Sequence, residues 1–254
     1  MKLTLLATDG PSTRILRNYL LDSGYTDVET IMEQAISRRA LLAHRRRKLG
    51  TLSVFGQMAF MALVVPVLKR LSALRRSQIL AHHSLRDDAQ ADNTVCVSTI
   101  NDAEVVRRLE RRQPDAVLVN GTRIIRRPIL EAVTCPVINI HAGIAPQYRG
   151  VHGGYWALWS NDPENFGATI HLVDEGVDTG LALCYARPDR SPEDNFMTYP
   201  LLQQAAALPE LVKILKGLPG GILRTETGSD TAPSRQWYHP TLLQYVAGRL
   251  RGIK

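Results

Sequence analysis

At 254 residues with 44% hydrophobic side chains, the chain is long enough to bury a full core, which excludes a disordered or fibrous protein. Its three cysteines, Cys96, Cys135 and Cys184, are too few and too widely spaced for a disulfide framework or a cysteine zinc site, and they fit a cytoplasmic protein. The net charge of +7 is uneven: eleven Lys or Arg and no Asp or Glu stand between Gln34 and Arg86, so that segment carries +11 and the remainder −4.

Leu3 to Ala7 is a short apolar run that ends in Asp9-Gly10-Pro11 rather than in a small-residue cleavage site, so it reads as a first strand and not a leader. Ser12 or Thr13 would cap a helix over Arg14 to Leu21. Val28 to Met32 and Val95 to Val97 read as strands, Ala103 to Arg112 as a charged helix and Ala116 to Val119 as a buried strand. Arg127-Pro128 opens a short helix, and Val137 to Ile140 is a strand that ends in His141. Pro146 to Gly154 is loop-like, Tyr155 to Trp159 helical, and Ala168 to Val173 alternates as a strand does. Gly176 and Gly180 bracket a tight loop over Asp174 to Gly180. Asn195 to Gly217 reads as a helix with Pro200 in its first turn and a kink at Pro209. Strands alternating with helices predict an α/β fold, a mostly parallel Rossmann-like sheet covered on both faces, with ligands at the carboxyl ends of the strands. The expected division is a domain over 1–217, a basic helical insertion over 34–86, and a tail over 218–254 that shows no periodicity.

In the basic segment, Arg38, Arg39, Arg45, Arg46, Arg47 and Lys48 precede the apolar run Val54 to Leu68, and Lys69, Arg70, Arg75 and Arg76 follow it. The run reads as too short, and too broken by Gly56, Gln57 and Pro66, to span a bilayer. It forms either two helices packed on the core or on a second subunit of a homodimer, or a basic amphipathic hairpin that touches an anionic membrane surface or a polyphosphate. A non-enzymatic alternative makes the patch a nucleic-acid or membrane-surface binding module.

Asn139 and His141 stand two apart on a strand, so both side chains project to one face at its carboxyl end. They are either a catalytic pair or a capping Asn beside a satisfied His. His141, His152 and His171 are not spaced as a ligand set with carboxylates, and no metal is expected.

The ordered set Asn139-Ile140-His141, then Pro146-Gln147-Tyr148-Arg149-Gly150, an aromatic helix, and His171-Leu172-Val173-Asp174-Glu175-Gly176-Val177-Asp178-Thr179-Gly180 resembles the folate-dependent formyltransferase family. That family includes glycinamide ribonucleotide, methionyl-tRNA and nucleotide-linked amino sugar enzymes. The resemblance is sharp over 116–186 and looser back to Met1. It implies N10-formyltetrahydrofolate as formyl donor, with Asn139, His141 and Asp178 at the positions of the family's catalytic Asn, His and Asp. It also implies Thr122, Arg123, Ile124 and Ile125 on one wall of the pterin pocket and Val173, Asp174, Glu175 and Gly176 on the other. Arg123 is alternatively an exposed loop arginine.

Attack of an amine on a formyl carbonyl creates an oxyanion and an ammonium. An Asn amide donates to the first, a His moves the proton, and an Asp orients the imidazole and favours its charged form. The tRNA-formylating relatives continue into a C-terminal barrel for which 218–254 is too short, and the folate-hydrolysing relatives carry an extra N-terminal domain, so neither activity is expected. Gly10, Ser12 and Thr13 stand where the purine-pathway relatives have a phosphate loop and would hold an acceptor phosphate or merely cap the helix. The stretch with Tyr148 and Arg149 looks like the enzymes of bacterial surface sugars such as lipopolysaccharide, so a nucleotide-linked amino sugar is the expected acceptor. Hydroxyornithine in siderophore assembly and glycinamide ribonucleotide are the alternatives.

Overall fold

The computed structural model describes residues 1–89, 93–226 and 233–254. Its centre is a seven-stranded sheet in the order β3-β2-β1-β4-β5-β7-β8, built from β1 (Leu3–Thr8), β2 (Val28–Glu33), β3 (Thr94–Val97), β4 (Ala116–Asn120), β5 (Val137–His141), β7 (Ala168–Leu172) and β8 (Ala182–Ala186). The first five run parallel, β7 pairs antiparallel with β5, and β8 pairs antiparallel with β7. Strand β8 escapes a reading from composition.

The central strands β1 and β4 are largely apolar because both faces are covered, whereas β2 carries Glu29, Thr30 and Glu33 and the edge strand β3 is only partly buried. Leu3 and Leu5 pack among Leu16 and Leu20 of α1 (Pro11–Asp22) and Leu208 and Leu211 of α9 (Tyr199–Gly217). On the other face Leu6 and Ile31 meet Val105 and Leu109 of α6 (Ala103–Arg112) and Ile129 of α7 (Arg127–Glu131). Helix α9 passes through Pro209 without ending. Helix α1 starts at Pro11 with Gly10 as its cap residue and no side-chain cap. The expected capping by Ser12 or Thr13 is therefore corrected: Thr13 Oγ1 donates to the Thr8 carbonyl at 2.6 Å and Ser12 Oγ to Asn120 Oδ1 at 3.2 Å.

The basic segment is helical: α2 (Arg38–Leu49), α3 (Thr51–Ala59), a π-helical turn (Phe60–Val64), α4 (Val65–Leu71) and α5 (Ala73–His82). From Thr51 to Leu71 the run is unbroken over 21 residues, long and apolar enough by length and composition to cross a membrane. The expectation of a run too short and too broken is corrected. Gly56 is accommodated inside α3, and Pro66 directly follows the π-helical turn, whose wider bonding, Val65 N–H to the Phe60 carbonyl, lets the helix pass a residue with no N–H.

One face of that run enters a third, aromatic cluster. Phe60, fully buried, meets Phe196 edge-on at 5.0 Å and Tyr245 at 5.1 Å, beside Tyr155 and Trp156 of α8 (Gly153–Trp159) and Trp237. The tail thus has structure that its lack of periodicity does not announce. A short strand β9 (Gln236–Trp237) pairs parallel with β6 (Arg149–Gly150), and α10 (Leu242–Leu250) starts with a capping box between Thr241 and Gln244.

The same region holds two imidazoles that meet nitrogen to nitrogen, His152 Nε2 lying 3.1 Å from His239 Nδ1. Burial, then the neighbouring imidazole, pushes His152 down to about 3, and burial with Arg45 pushes His239 down to about 4. Below pH 6.5 the unfolded chain binds protons that the folded chain refuses, so stability falls with pH from 6.5 toward 4. His141 and His83 shift the same way. Thermal melts across that window are expected to show a falling Tm, with a shallower slope in His152→Asn, a residue that tolerates the left-handed backbone at this position. An unchanged slope would remove the pair from the acid response.

Candidate active site

The carboxyl ends of β4 and β5 open onto a cavity of about 520 Å³, within the range of small-molecule sites. Asn139 and His141 lie on β5, and the antiparallel register sets His171 of β7 directly opposite Asn139. Directly opposed residues share a face, so His171 joins the pair. It is a member of the site that sequence spacing does not reveal, because the register of β5 on β7 is not written in either strand.

Asp178 arrives from the loop between β7 and β8, held in the left-handed backbone region (φ 50°) that Asp tolerates better than most residues. Its Oδ2 accepts the Gly150 N–H at 2.9 Å and lies 3.4 Å from His141 Nδ1; its Oδ1 is 3.4 Å from Asn139 Nδ2 and 3.6 Å from His171 Nε2. Residues 139, 141 and 178, scattered in sequence, therefore converge.

The network fixes the protons. Tyr148's carbonyl can only accept, so His141 Nε2 carries a hydrogen and donates it at 2.7 Å. Likewise His171 Nδ1 donates to the Leu172 carbonyl at 2.7 Å, which leaves its Nε2 to accept from Asn139 Nδ2 at 3.1 Å. Burial lowers the His141 pKa below its ordinary value, with Asp178 pulling the other way. The resting imidazole is thus neutral, with its Nδ1 lone pair turned to Asp178. Asp178 favours the charged form, as proximity predicts, but desolvation outweighs it. For Asp178 burial pushes the pKa up, but the surrounding polar groups, including the Gly150 N–H at 2.9 Å, outweigh burial and hold it below the usual value.

The loop after β5 closes tightly over this pair. Buried Thr169 Oγ1 donates to the Gly143 carbonyl at 2.8 Å and accepts the Ala145 N–H at 3.0 Å. A Cβ on Gly143 would stand 2.5 Å from His141 Nε2 and 2.3 Å from the Tyr148 carbonyl oxygen. Glycine is required there by close approach rather than by backbone angle.

Of the expected cavity walls, Thr122, Arg123, Ile124 and Ile125 line one side and Val173, Asp174 and Gly176 the other. Glu175 is exposed and outside the cavity. Arg123 is neither a free cavity cation nor a loose loop arginine: its guanidinium meets buried Glu33 at 3.1 Å and donates to the carbonyls of Ser98 and Gln34 at 3.0 and 2.9 Å. Asp174 accepts from Gly176 N and Thr179 Oγ1 and so builds the loop.

The expected acceptor contacts divide. Ser12 lines the cavity, whereas Gly10 and Thr13 do not. Tyr148 and Arg149 are corrected as well. Tyr148 is buried with its hydroxyl donating to Asp162 at 2.7 Å, and Arg149 Nη1 donates to the Val177 carbonyl at 2.9 Å. Both hold loops. Residues not expected at the cavity do line it: His44 and Arg45 of α2, and Gln236, Trp237 and Tyr238 of the tail.

A second cavity of about 480 Å³ adjoins the first, sharing Ser12, Asn120, Ile140 and Ala142, and carries two cations, Lys69 and Arg76. Among the described residues no group of three His, Cys, Asp or Glu could hold a metal ion.

The fold is found in solved structures of low sequence identity. A sugar N-formyltransferase from Shewanella sp. FDAARGOS_354 aligns with a TM-score of 0.58 at 15% identity, covering 93% of this chain and 77% of its own. A phosphoribosylglycinamide formyltransferase from Anaplasma phagocytophilum aligns at 0.56 and 18%, covering 91% and 96%. Among curated relatives, the trifunctional purine biosynthetic protein adenosine-3 of Drosophila melanogaster is 34% identical over 97 residues, 38% of this chain and 7% of that protein. The methionyl-tRNA formyltransferase of Desulfotalea psychrophila is 33% identical over 126 residues, 48% of this chain and 38% of its own length. The matched stretches span less than half of these curated relatives. The family model described as formyl transferase matches residues 57–201, beginning inside the segment set apart as an insertion and covering more than half of the chain. The chain belongs to the formyl transferase family.

Proposed function

We propose that this chain transfers a formyl group from N10-formyltetrahydrofolate to a primary amine in the cytoplasm, and that the amine belongs to a nucleotide-linked amino sugar. The observation that carries the reading is the meeting of Asn139, His141 and Asp178 within 3.4 Å beside a cavity. The cavity fits the donor's flat heterocycle: Val119, Ile124, Ile125, Ile140 and Val173 supply apolar walls.

The amine nitrogen bonds to the formyl carbon, and the carbonyl pair moves onto oxygen. Asn139 exchanges its longer contact, 3.4 Å to Asp178, for that oxyanion, as resting hydrogen bonds at catalytic sites commonly tighten on binding. Neutral His141 takes the ammonium proton on Nδ1, and Asp178 at 3.4 Å offsets the imidazolium charge. The proton then passes to N10 as the bond from carbon to N10 breaks, which returns His141 to its resting form.

Support for a phosphate-bearing acceptor comes from the adjoining cavity, lined by Lys69 and the Ser12 hydroxyl, with Arg76 beside them paired to Asp87. A nucleotide-linked sugar and glycinamide ribonucleotide both carry phosphate, and hydroxyornithine does not. The test is a screen of amino sugars linked to dTDP, GDP and UDP, beside hydroxyornithine and glycinamide ribonucleotide, read as release of tetrahydrofolate. Turnover of a nucleotide-linked sugar is expected. Turnover confined to an amine without a nucleotide would overturn the acceptor, and no transfer to any amine would overturn the activity.

A further inference from the structure

We propose that the helical segment α2–α4 docks the protein on a bilayer rich in anionic phospholipid. The starting observation is an apolar face left in water. Leu52, Phe55, Leu63 and Leu71 are 86, 69, 64 and 74% exposed along the run Thr51–Leu71. Exposed faces of this size mark interaction sites.

The opposite face of the run is fixed to the body. Val54 and Phe60 are buried, and the Gln57 side-chain amide donates to the His239 carbonyl at 2.8 Å. A helix so anchored cannot leave to cross a bilayer without exposing an aromatic core and breaking that bond, so it lies along the membrane surface. That is the placement of an interfacial amphipathic helix.

Charge selects the partner. Between α2 and α3 lies a groove of about 760 Å³ with Leu42, Val54, Phe55 and Met58 on its walls and Arg39, Arg46 and Arg47 on its rim. Those three arginines, with Arg70 at the far end of the run, are exposed and make no ion pair among the described residues. By contrast Arg75 and Arg76 are engaged by Asp194 and Asp87. Apolar walls under a cationic rim suit acyl chains below phosphate headgroups. A second copy of the chain suits them poorly, because a two-fold interface apposes the same patch on both subunits and would set one arginine rim against the other.

The helix that presents this face also lines the cavity next to the candidate active site, through Val65 and Lys69. Docking therefore brings that cavity close to the lipid surface.

The experiment is flotation of the full chain with vesicles of phosphatidylcholine alone and of equimolar phosphatidylcholine and phosphatidylglycerol. Binding to the anionic vesicles, weakened by salt, is expected, with far less on the neutral ones. Arg46→Glu with Arg47→Glu, and separately Phe55→Ser with Leu63→Ser, are each expected to lower the partition coefficient about tenfold or more while Tm and the circular dichroism spectrum hold. Flotation does not depend on formyl transfer, so its failure is separable from failure of the proposed activity. Equal binding to both vesicle types, or none, overturns the proposal. So does a dimer in sedimentation that Leu63→Ser dissociates, or retention on nucleic acid in place of vesicles.

Discussion

Turnover of Asp178→Asn is expected to fall by about 10²–10⁴, the range typical when acid–base support is lost, with the fold retained. Asparagine tolerates the left-handed backbone of this position, and its carbonyl can still accept the Gly150 N–H that anchors Asp178. What disappears is the charge. Burial already lowers the pKa of His141, and Asp178 is the foremost influence pulling it up. Without the carboxylate, the imidazolium formed during transfer loses its partner at 3.4 Å. His141→Ala removes the proton carrier itself and is expected to match this loss. Steady-state kcat beside a thermal melt checks both, and activity within tenfold of the unmodified protein in the two variants would take them out of the mechanism.

Asn139→Ala is expected to lower kcat by about 10²–10³, the effect of losing one oxyanion donor, and to change KM little. The amide points its N–H groups toward His171 Nε2 and Asp178 Oδ1 and lines the cavity, which places a donor beside the proton carrier. A variant with raised KM and unchanged kcat would mean that Asn139 binds ground state and transition state alike, and the assignment would fail.

How far the sequence carries the structure differs by element. Leu3 to Ala7, Ala116 to Val119 and Val137 to Ile140 are legible because strands buried on both faces need continuous apolar runs. Asn139 and His141 are legible as a pair because alternation along a strand is local information. His171 is not, since its place beside Asn139 depends on the register between two strands 32 residues apart.

The roles of Tyr148 and Arg149 are missed for a related reason. Their residue types suit a ligand, but the loop turns one toward Asp162 and the other toward Val177. The tail was opaque because β9 is two residues long and exists through its pairing with β6. Its helix did carry a local sign, the Thr241 and Gln244 of the capping box. In the basic segment Pro66 suggests a break, and the π-helical turn just before it, which no local pattern announces, carries the helix past it.

The pairing of β9 with β6 has a consequence for when the protein becomes competent. Gln236 and Trp237 line the cavity and pair beside Gly150, whose N–H anchors Asp178. The seven-stranded sheet is complete by residue 186, so a nascent chain owns its scaffold well before it owns an enclosed pocket. Enclosure of the pocket then waits on residues 236–238, which are made about fifty residues after the sheet's final strand and bring Trp237 into the aromatic cluster as they arrive.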